Sequence, residues 1–123
     1  MIGRSCRNRV AIAAATVMIV FAASPATAQC NLPGDPDAGK AIFDQTCVAC
    51  HGENGQGAIP GIPNLARKPS PLQQSDELLL QRIRDGYSSG KSPIAMPPMG
   101  GNPDLSDSDL LDVLSYMRKT FAC

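Results

Sequence analysis

The stretch Cys47-Val48-Ala49-Cys50-His51 decides the fold of this 123-residue chain. Two cysteines separated by two residues and followed directly by a histidine form the pattern of covalent haem attachment. Each thiol can add across one vinyl group of the porphyrin, and the adjacent imidazole is then held where a ring nitrogen ligates the iron. The motif therefore predicts one haem c, bound through Cys47 and Cys50, with His51 as an axial ligand.

An export signal is predicted over residues 1–28. Three arginines precede an apolar stretch at 10–23, and Ala26-Thr27-Ala28 is the small-residue pattern of a cleavage site. The apolar stretch is shorter than the roughly 20 residues that a membrane-spanning helix needs. We expect cleavage after Ala28, which leaves a single domain of residues 29–123 in the periplasm. A retained membrane anchor is the alternative.

The domain left after cleavage is mildly acidic and poor in large side chains. Removing three arginines from the eleven basic residues leaves eight against eleven acidic ones. No basic run indicates a nucleic-acid surface, and nothing beyond the signal predicts stable membrane insertion. The whole chain has 11 glycines and 11 prolines but only two tyrosines, three phenylalanines and no tryptophan. A buried porphyrin would supply the apolar core that such a small domain lacks.

The two cysteines outside the haem motif are predicted to pair with each other. Cys30 and Cys123 lie near the two ends of the mature chain, and an exported protein meets an oxidising compartment. A disulfide between them is the natural pairing. Two free thiols or an intermolecular bond are the alternatives, because sequence gives no distance.

Three segments are predicted to be helices, which makes the fold all-α. The first is capped by Asp35 and extends to about Thr46, and the second begins at Ser75 and ends in a left-handed cap at Gly86. The third begins at Ser106, which forms a capping-box pair with the acid three residues later. Its apolar stripe consists of Leu110, Val113, Leu114, Met117 and Phe121. The long loops 52–74 and 87–105 are expected to wrap the two faces of one flat cofactor.

The second axial ligand is predicted to be a methionine, because His51 is the only histidine in the chain. Met96 is favoured, since the following Pro97 holds its backbone extended and stiffens the loop that presents the thioether. Met99 is the alternative. Met117 lies in the apolar stripe of the third helix and is more simply explained as core.

A backbone carbonyl is expected to fix the ring of His51 by accepting the Nδ1 proton. Pro63 in the first loop is the favoured acceptor, and Pro60 is the alternative. Leu65, two residues beyond Pro63, is placed to line the porphyrin ring.

Several short motifs follow one another in a fixed order along residues 37–121. They are Gly39-Lys40-Ala41-Ile42-Phe43, Cys47-Val48-Ala49-Cys50-His51, Pro63-Asn64-Leu65, the loop around Met96 and Leu114-Ser115-Tyr116-Met117-Arg118. In this order they resemble the class I c-type cytochromes, which are small monohaem electron carriers. The loop around Met96 is most similar to small periplasmic bacterial members, in which the first methionine ligates the iron.

The resemblance implies a cytochrome c fold, in which three main helices and long loops surround one covalent haem. It implies that the first and last helices cross near Gly39, Phe43 and Tyr116. It also implies that Cys47 and Cys50 form the thioethers. His51 and a methionine would be the axial ligands, with the Pro63 carbonyl as the partner of the histidine.

The function expected from these features is one-electron transfer in the periplasm and not enzymatic catalysis. Histidine and methionine would saturate the iron, and methionine raises its reduction potential. The partners would be a donor dehydrogenase or reductase and an acceptor oxidase or cytochrome. The alternatives are a dedicated cytochrome subunit of a periplasmic dehydrogenase, a haem peroxidase or gas-binding protein, and a haem-free thiol–disulfide or zinc protein. The exposed haem edge is expected to be framed by Val48, Ala49, Ile94, Ala95 and Pro97.

Overall fold

The computed structural model describes Cys30 and residues 32–123. The predicted signal peptide, its cleavage after Ala28 and the new amino terminus at Gln29 lie outside these residues. Among the helices that the structure describes, none is both long enough and apolar enough to cross a membrane.

The described part of the chain is helical, as predicted, and long loops connect its helices. Its only β pairing is a single antiparallel bridge between Tyr87 and Met96. Short 3-10 turns interrupt the loops at 71–73 and 98–101. The helical elements, in chain order, are α1 (Pro36–Ile42), a π-helical turn (Phe43–Cys47), α2 (Val48–His51), α3 (Asp76–Asp85), α4 (Asp107–Met117) and a second π-helical turn (Arg118–Ala122).

Side-chain caps start the three main helical segments where the sequence predicts them. The carboxylate of Asp35 accepts a 2.8 Å hydrogen bond from the Asp37 amide, and Ser75 caps α3. Ser106 and Asp109 form the predicted reciprocal capping box at the start of α4. Gly86 ends α3 at φ +80° and ψ 167°. This is a glycine-specific conformation outside the left-handed helical well that was predicted.

The first helical segment is longer than predicted. The expected end near Thr46 is wrong, because the helix becomes π-helical at Phe43 and then continues through α2 to His51. In the π-helical turn the amide of Val48 donates to the carbonyl of Phe43, five residues back. The haem motif is therefore carried on rigid helix, and Gly52 ends it at φ +76°.

The crossing of α1 and α4 holds the two ends of the domain together. A Cβ at Gly39 would overlap the Asp112 carbonyl and lie 2.9 Å from the Val113 amide nitrogen, so only glycine allows this approach. Beside it the ring of Phe43 lies 5.4 Å from that of Tyr116 and 5.5 Å from that of Phe121, measured between centroids. The crossing expected near Gly39, Phe43 and Tyr116 is confirmed.

A buried arginine ties the end of the first long loop to the carboxyl-terminal helix. Only 2% of Arg118 is exposed, and its guanidinium pairs with the carboxylate of Asp76. It also donates to the carbonyls of Leu72 at 3.0 Å and Gln74 at 2.6 Å. These bonds fix where the loop ends and α3 begins.

The predicted disulfide between Cys30 and Cys123 is present, with 6.0 Å between the two Cα atoms. The two cysteines are 93 positions apart in the sequence, so the bond closes nearly the whole domain into one loop. The segment that precedes α1 is thereby fastened to the end of the last helix.

Candidate haem-binding site

A deep apolar cleft lies between the haem motif, α3 and the two long loops. The space between its walls, together with the open solvent at its mouth, is about 1140 Å³. All of the residues predicted to bind the cofactor lie on its wall. They are Cys47, Cys50, His51, Pro63, Leu65 and Met96.

The two cysteines of the motif are half-buried thiols on the cleft wall. Burial, and to a smaller extent the neighbouring Cys50, raises the pKa of the Cys47 thiol to about 11. A redox-active Cys-x-x-Cys pair needs the opposite shift, because the thiolate is its nucleophile. Within the described residues, no three His, Cys, Asp or Glu side chains converge as a metal site would require.

His51 ends α2 with its ring half-buried against the cleft. Burial lowers the pKa of the imidazole, which favours the neutral form that ligates a metal. Its Nδ1 atom is buried and has no hydrogen-bond partner in the described structure. The hydrogen bond predicted from Nδ1 to the Pro63 carbonyl is therefore not formed here, although both residues line the cleft. That bond stays a prediction for the haem-loaded protein.

The first loop is bound closely to the haem motif. The backbone amides of Gly57 and Ala58 donate to the carbonyls of His51 and Cys50, each at 2.8 Å. Farther along, the amide of Leu65 donates to the carbonyl of Gly55 at 2.7 Å. The loop is thereby folded back so that Leu65, 7% exposed, faces the cleft.

The structure separates the two candidate methionines of the second loop. Met96 is held by the bridge to Tyr87, with backbone hydrogen bonds of 3.0 and 2.9 Å, and it lines the cleft. Met99 is not on the cleft wall, and it has a positive φ of 55°, which is uncommon for a residue with a Cβ. Met117 also reaches the cleft wall, but it is 6% exposed and belongs to the core, as predicted.

Sequence reasoning missed the polar residues of the cleft, and two of them are in contact with each other. Arg82 and Tyr87 both line it, and the guanidinium carbon of Arg82 lies 4.1 Å from the centre of the Tyr87 ring. The available signal was helical spacing, because Arg82 is three residues from Leu79, a buried residue of α3 that also lines the cleft.

Comparison with known proteins identifies the family. The family model for cytochrome c matches residues 36–121. The chain is 39% identical over 83 residues to cytochrome c-554(548) of Halomonas halodenitrificans, covering 68% of this chain and 93% of that protein. It is 32% identical over 98 residues to the cytochrome c subunit of the quinone alcohol dehydrogenase of Gluconobacter oxydans, covering 76% of this chain but 20% of that subunit.

The fold also matches a solved structure. The c-type cytochrome XoxG of Methylobacterium extorquens AM1 superposes with a TM-score of 0.53 at 22% identity, covering 71% of this chain. The chain spans about half of that protein, 52% of its length.

The chain belongs to the cytochrome c family, and within it to the class I c-type cytochromes. It binds haem c covalently and works as an electron carrier with redox proteins as its partners.

Proposed function

We propose that Cys47 and Cys50 form the two thioethers and that His51 and Met96 ligate the iron. The observation that carries this proposal is the convergence of all four side chains on one apolar cleft, with Met99 outside its wall. The same cleft holds Pro63 and Leu65, which we assign to orienting the histidine and covering the ring.

The bound haem would supply reversible one-electron chemistry at its iron. The chain's own residues favour transfer over catalysis. His51 is the only histidine, so no second imidazole can act as an acid or base beside the cleft. Arg82 is the one aspartate, glutamate, lysine or arginine side chain on the cleft wall. The cleft wall is largely apolar, which suits a flat cofactor, and no second imidazole is available there to activate a substrate.

We place the working protein in the periplasm, with residues 1–28 removed after Ala28. The Cys30–Cys123 disulfide supports this location, because such bonds persist in oxidising compartments. Determination of the amino-terminal residue of the exported protein tests the cleavage site. Gln29 is expected, and a chain that keeps the arginines of the signal would contradict it.

Redox partners are expected to dock at the exposed apolar rim of the cleft. Ile94 is 48% exposed, and Ala95 and Pro97 are exposed beside it on the cleft wall. A small apolar rim suits the brief encounters of electron-transfer proteins. We propose a freely diffusing carrier that takes electrons from a dehydrogenase or reductase and gives them to an oxidase or another cytochrome.

The test of the ligand assignment is the absorption spectrum of the matured ferric protein. Methionine-to-iron ligation produces a weak far-red charge-transfer band. Met96→Leu is expected to abolish it, because leucine has nearly the same volume but no sulfur donor. Met99→Leu is the matched control and is expected to keep it. The reverse result would transfer the ligand role to Met99, and a mature protein that weighs no more than its processed chain would end the haem proposal.

A further inference from the structure

Arg82 is half-buried, and among the described residues it has no anionic partner, unlike the two arginines that form ion pairs. The guanidinium of Arg118 pairs with Asp76, and that of Arg84 pairs with Asp107 at 2.8 Å. Arg82 makes no ion pair or hydrogen bond with any described residue, and its one specific contact is the ring of Tyr87. It nevertheless faces the cleft.

We propose that the Arg82 guanidinium binds a propionate carboxylate of the haem, and that Tyr87 holds the guanidinium in place by packing against it. The inference rests on the proposed haem site and extends it to the polar edge of the cofactor. Haem has two propionates as its only anionic side groups. Arginine presents a planar pair of N–H donors that matches a carboxylate.

The surroundings of Arg82 favour this partner over an acid of the chain. The cleft wall is largely apolar, and a cation at such a surface is costly unless an anion meets it. Asp85, the acid nearest in sequence, is exposed and forms no ion pair with Arg82. Ser89 and Ser92 also line the cleft, so further hydroxyl donors are available to the same carboxylates.

Arg82 would then be a positioning residue with an electrostatic effect on the iron. A fixed positive charge beside the porphyrin favours the ferrous state, because reduction removes one positive charge from the iron. Replacing Arg82 by a neutral residue is expected to lower the equilibrium constant for reduction by about threefold to tenfold. This equals a fall in reduction potential of about 30–60 mV at 59 mV per tenfold change for one electron.

The experiment is a potentiometric titration of the matured wild-type, R82Q and R84Q proteins at one pH and salt concentration. R84Q is the matched control, because it removes an arginine two residues away on the same helix whose partner is a carboxylate of the chain. Only R82Q is expected to show the lower potential. Resonance Raman bands of the propionate groups should shift in R82Q alone.

Equal potentials in R82Q and R84Q would overturn the proposal, and so would unchanged propionate bands in R82Q. If R82Q acquires no haem, R82K decides the question. Lysine keeps the charge but not the paired donors, so its propionate bands should shift while the potential stays near that of the wild type. Unchanged bands in R82K would also overturn the proposal. The far-red methionine band of the wild-type protein reports separately on the axial ligands, so failure of the haem-ligand proposal is distinguishable from failure of this one.

Discussion

Substitution of Gly39 by alanine at the crossing of α1 and α4 should destabilise the domain, although helix propensity alone predicts the opposite. Gly39 lies inside a helix, where alanine is favoured over glycine by roughly 0.5–1 kcal/mol. In this structure, however, the new methyl group would overlap the Asp112 carbonyl and come within 2.9 Å of the Val113 amide. Both obstacles are backbone, so neither can rotate away.

The magnitude follows from these two opposing effects. Forcing a methyl group into packed structure costs typically about 1–3 kcal/mol, and here the two helices must separate to admit it. That separation also loosens the contact between Phe43 and Tyr116, whose ring centroids lie 5.4 Å apart. Because both obstacles are backbone, we take the upper end of that range, and after the propensity gain is subtracted we expect a net loss of about 2 kcal/mol in the free energy of unfolding.

The assay is denaturant unfolding of the matured protein, followed by circular dichroism. The midpoint should fall while the slope stays constant, which marks a change in stability alone. Gly90→Ala is the control, because a Cβ there meets nothing within 4 Å and only the positive φ of 69° opposes it. Its effect should be about 1 kcal/mol. A Gly39→Ala protein as stable as the wild type, or more stable, would refute the close helix crossing.

Two further predictions concern charged groups. Arg118→Met should cost about 3–5 kcal/mol in unfolding free energy, because it leaves the carbonyls of Leu72 and Gln74 and the carboxylate of Asp76 without their donor. Lys119→Met, at the exposed neighbour, should change it by less than about 0.5 kcal/mol, and equal effects would contradict the role of Arg118. The hydrogen bonds from Ser106 lower the pKa of Asp109, so their stabilisation is fully present above the ordinary aspartate pKa and is lost as the pH falls through the lowered one. Urea titrations of the wild-type and Ser106→Ala proteins should therefore differ most at neutral pH. The difference should shrink in acid to the part that comes from the helix cap, because the bond that Ser106 Oγ accepts from the Asp109 amide does not titrate. A difference that stays constant from neutral pH into acid would contradict this assignment.

The sequence predicted those features that depend on local chemistry. Asp35, Ser75 and Ser106 start helices because their side chains accept the free amides of the next turn, and this requires no knowledge of the rest of the fold. The haem motif and the Met96 loop were likewise readable from residue type and spacing. The preference for Met96 over Met99 came from Pro97, and in the structure Met96 lies on the cleft wall.

Features that depend on contacts between distant parts of the chain could not be predicted from the sequence. The burial of Arg118 is one of them, because the groups that accept its hydrogen bonds lie 42 to 46 residues away in the sequence. The continuation of the first helix past Thr46 depends on a π-helical turn that no glycine or proline marks. The Nδ1 bond of His51 depends on the placement of a loop carbonyl, and spacing along the sequence could not establish that placement.

The packing of the hydrophobic core shows how a small domain with few aromatic residues can depend on a bound haem. Among the described residues, the core cluster has eleven buried hydrophobic side chains, and six of them also form part of the cleft wall. The other five, Phe43, Leu110, Val113, Phe121 and Ala122, lie away from the cleft, around the crossing of the two end helices. The helix crossing is therefore packed by side chains of the protein alone. The six shared side chains would complete their packing against the porphyrin, and any group that binds only the folded chain stabilises the fold. Haem binding and folding should for this reason be coupled at the cleft wall much more strongly than at the crossing.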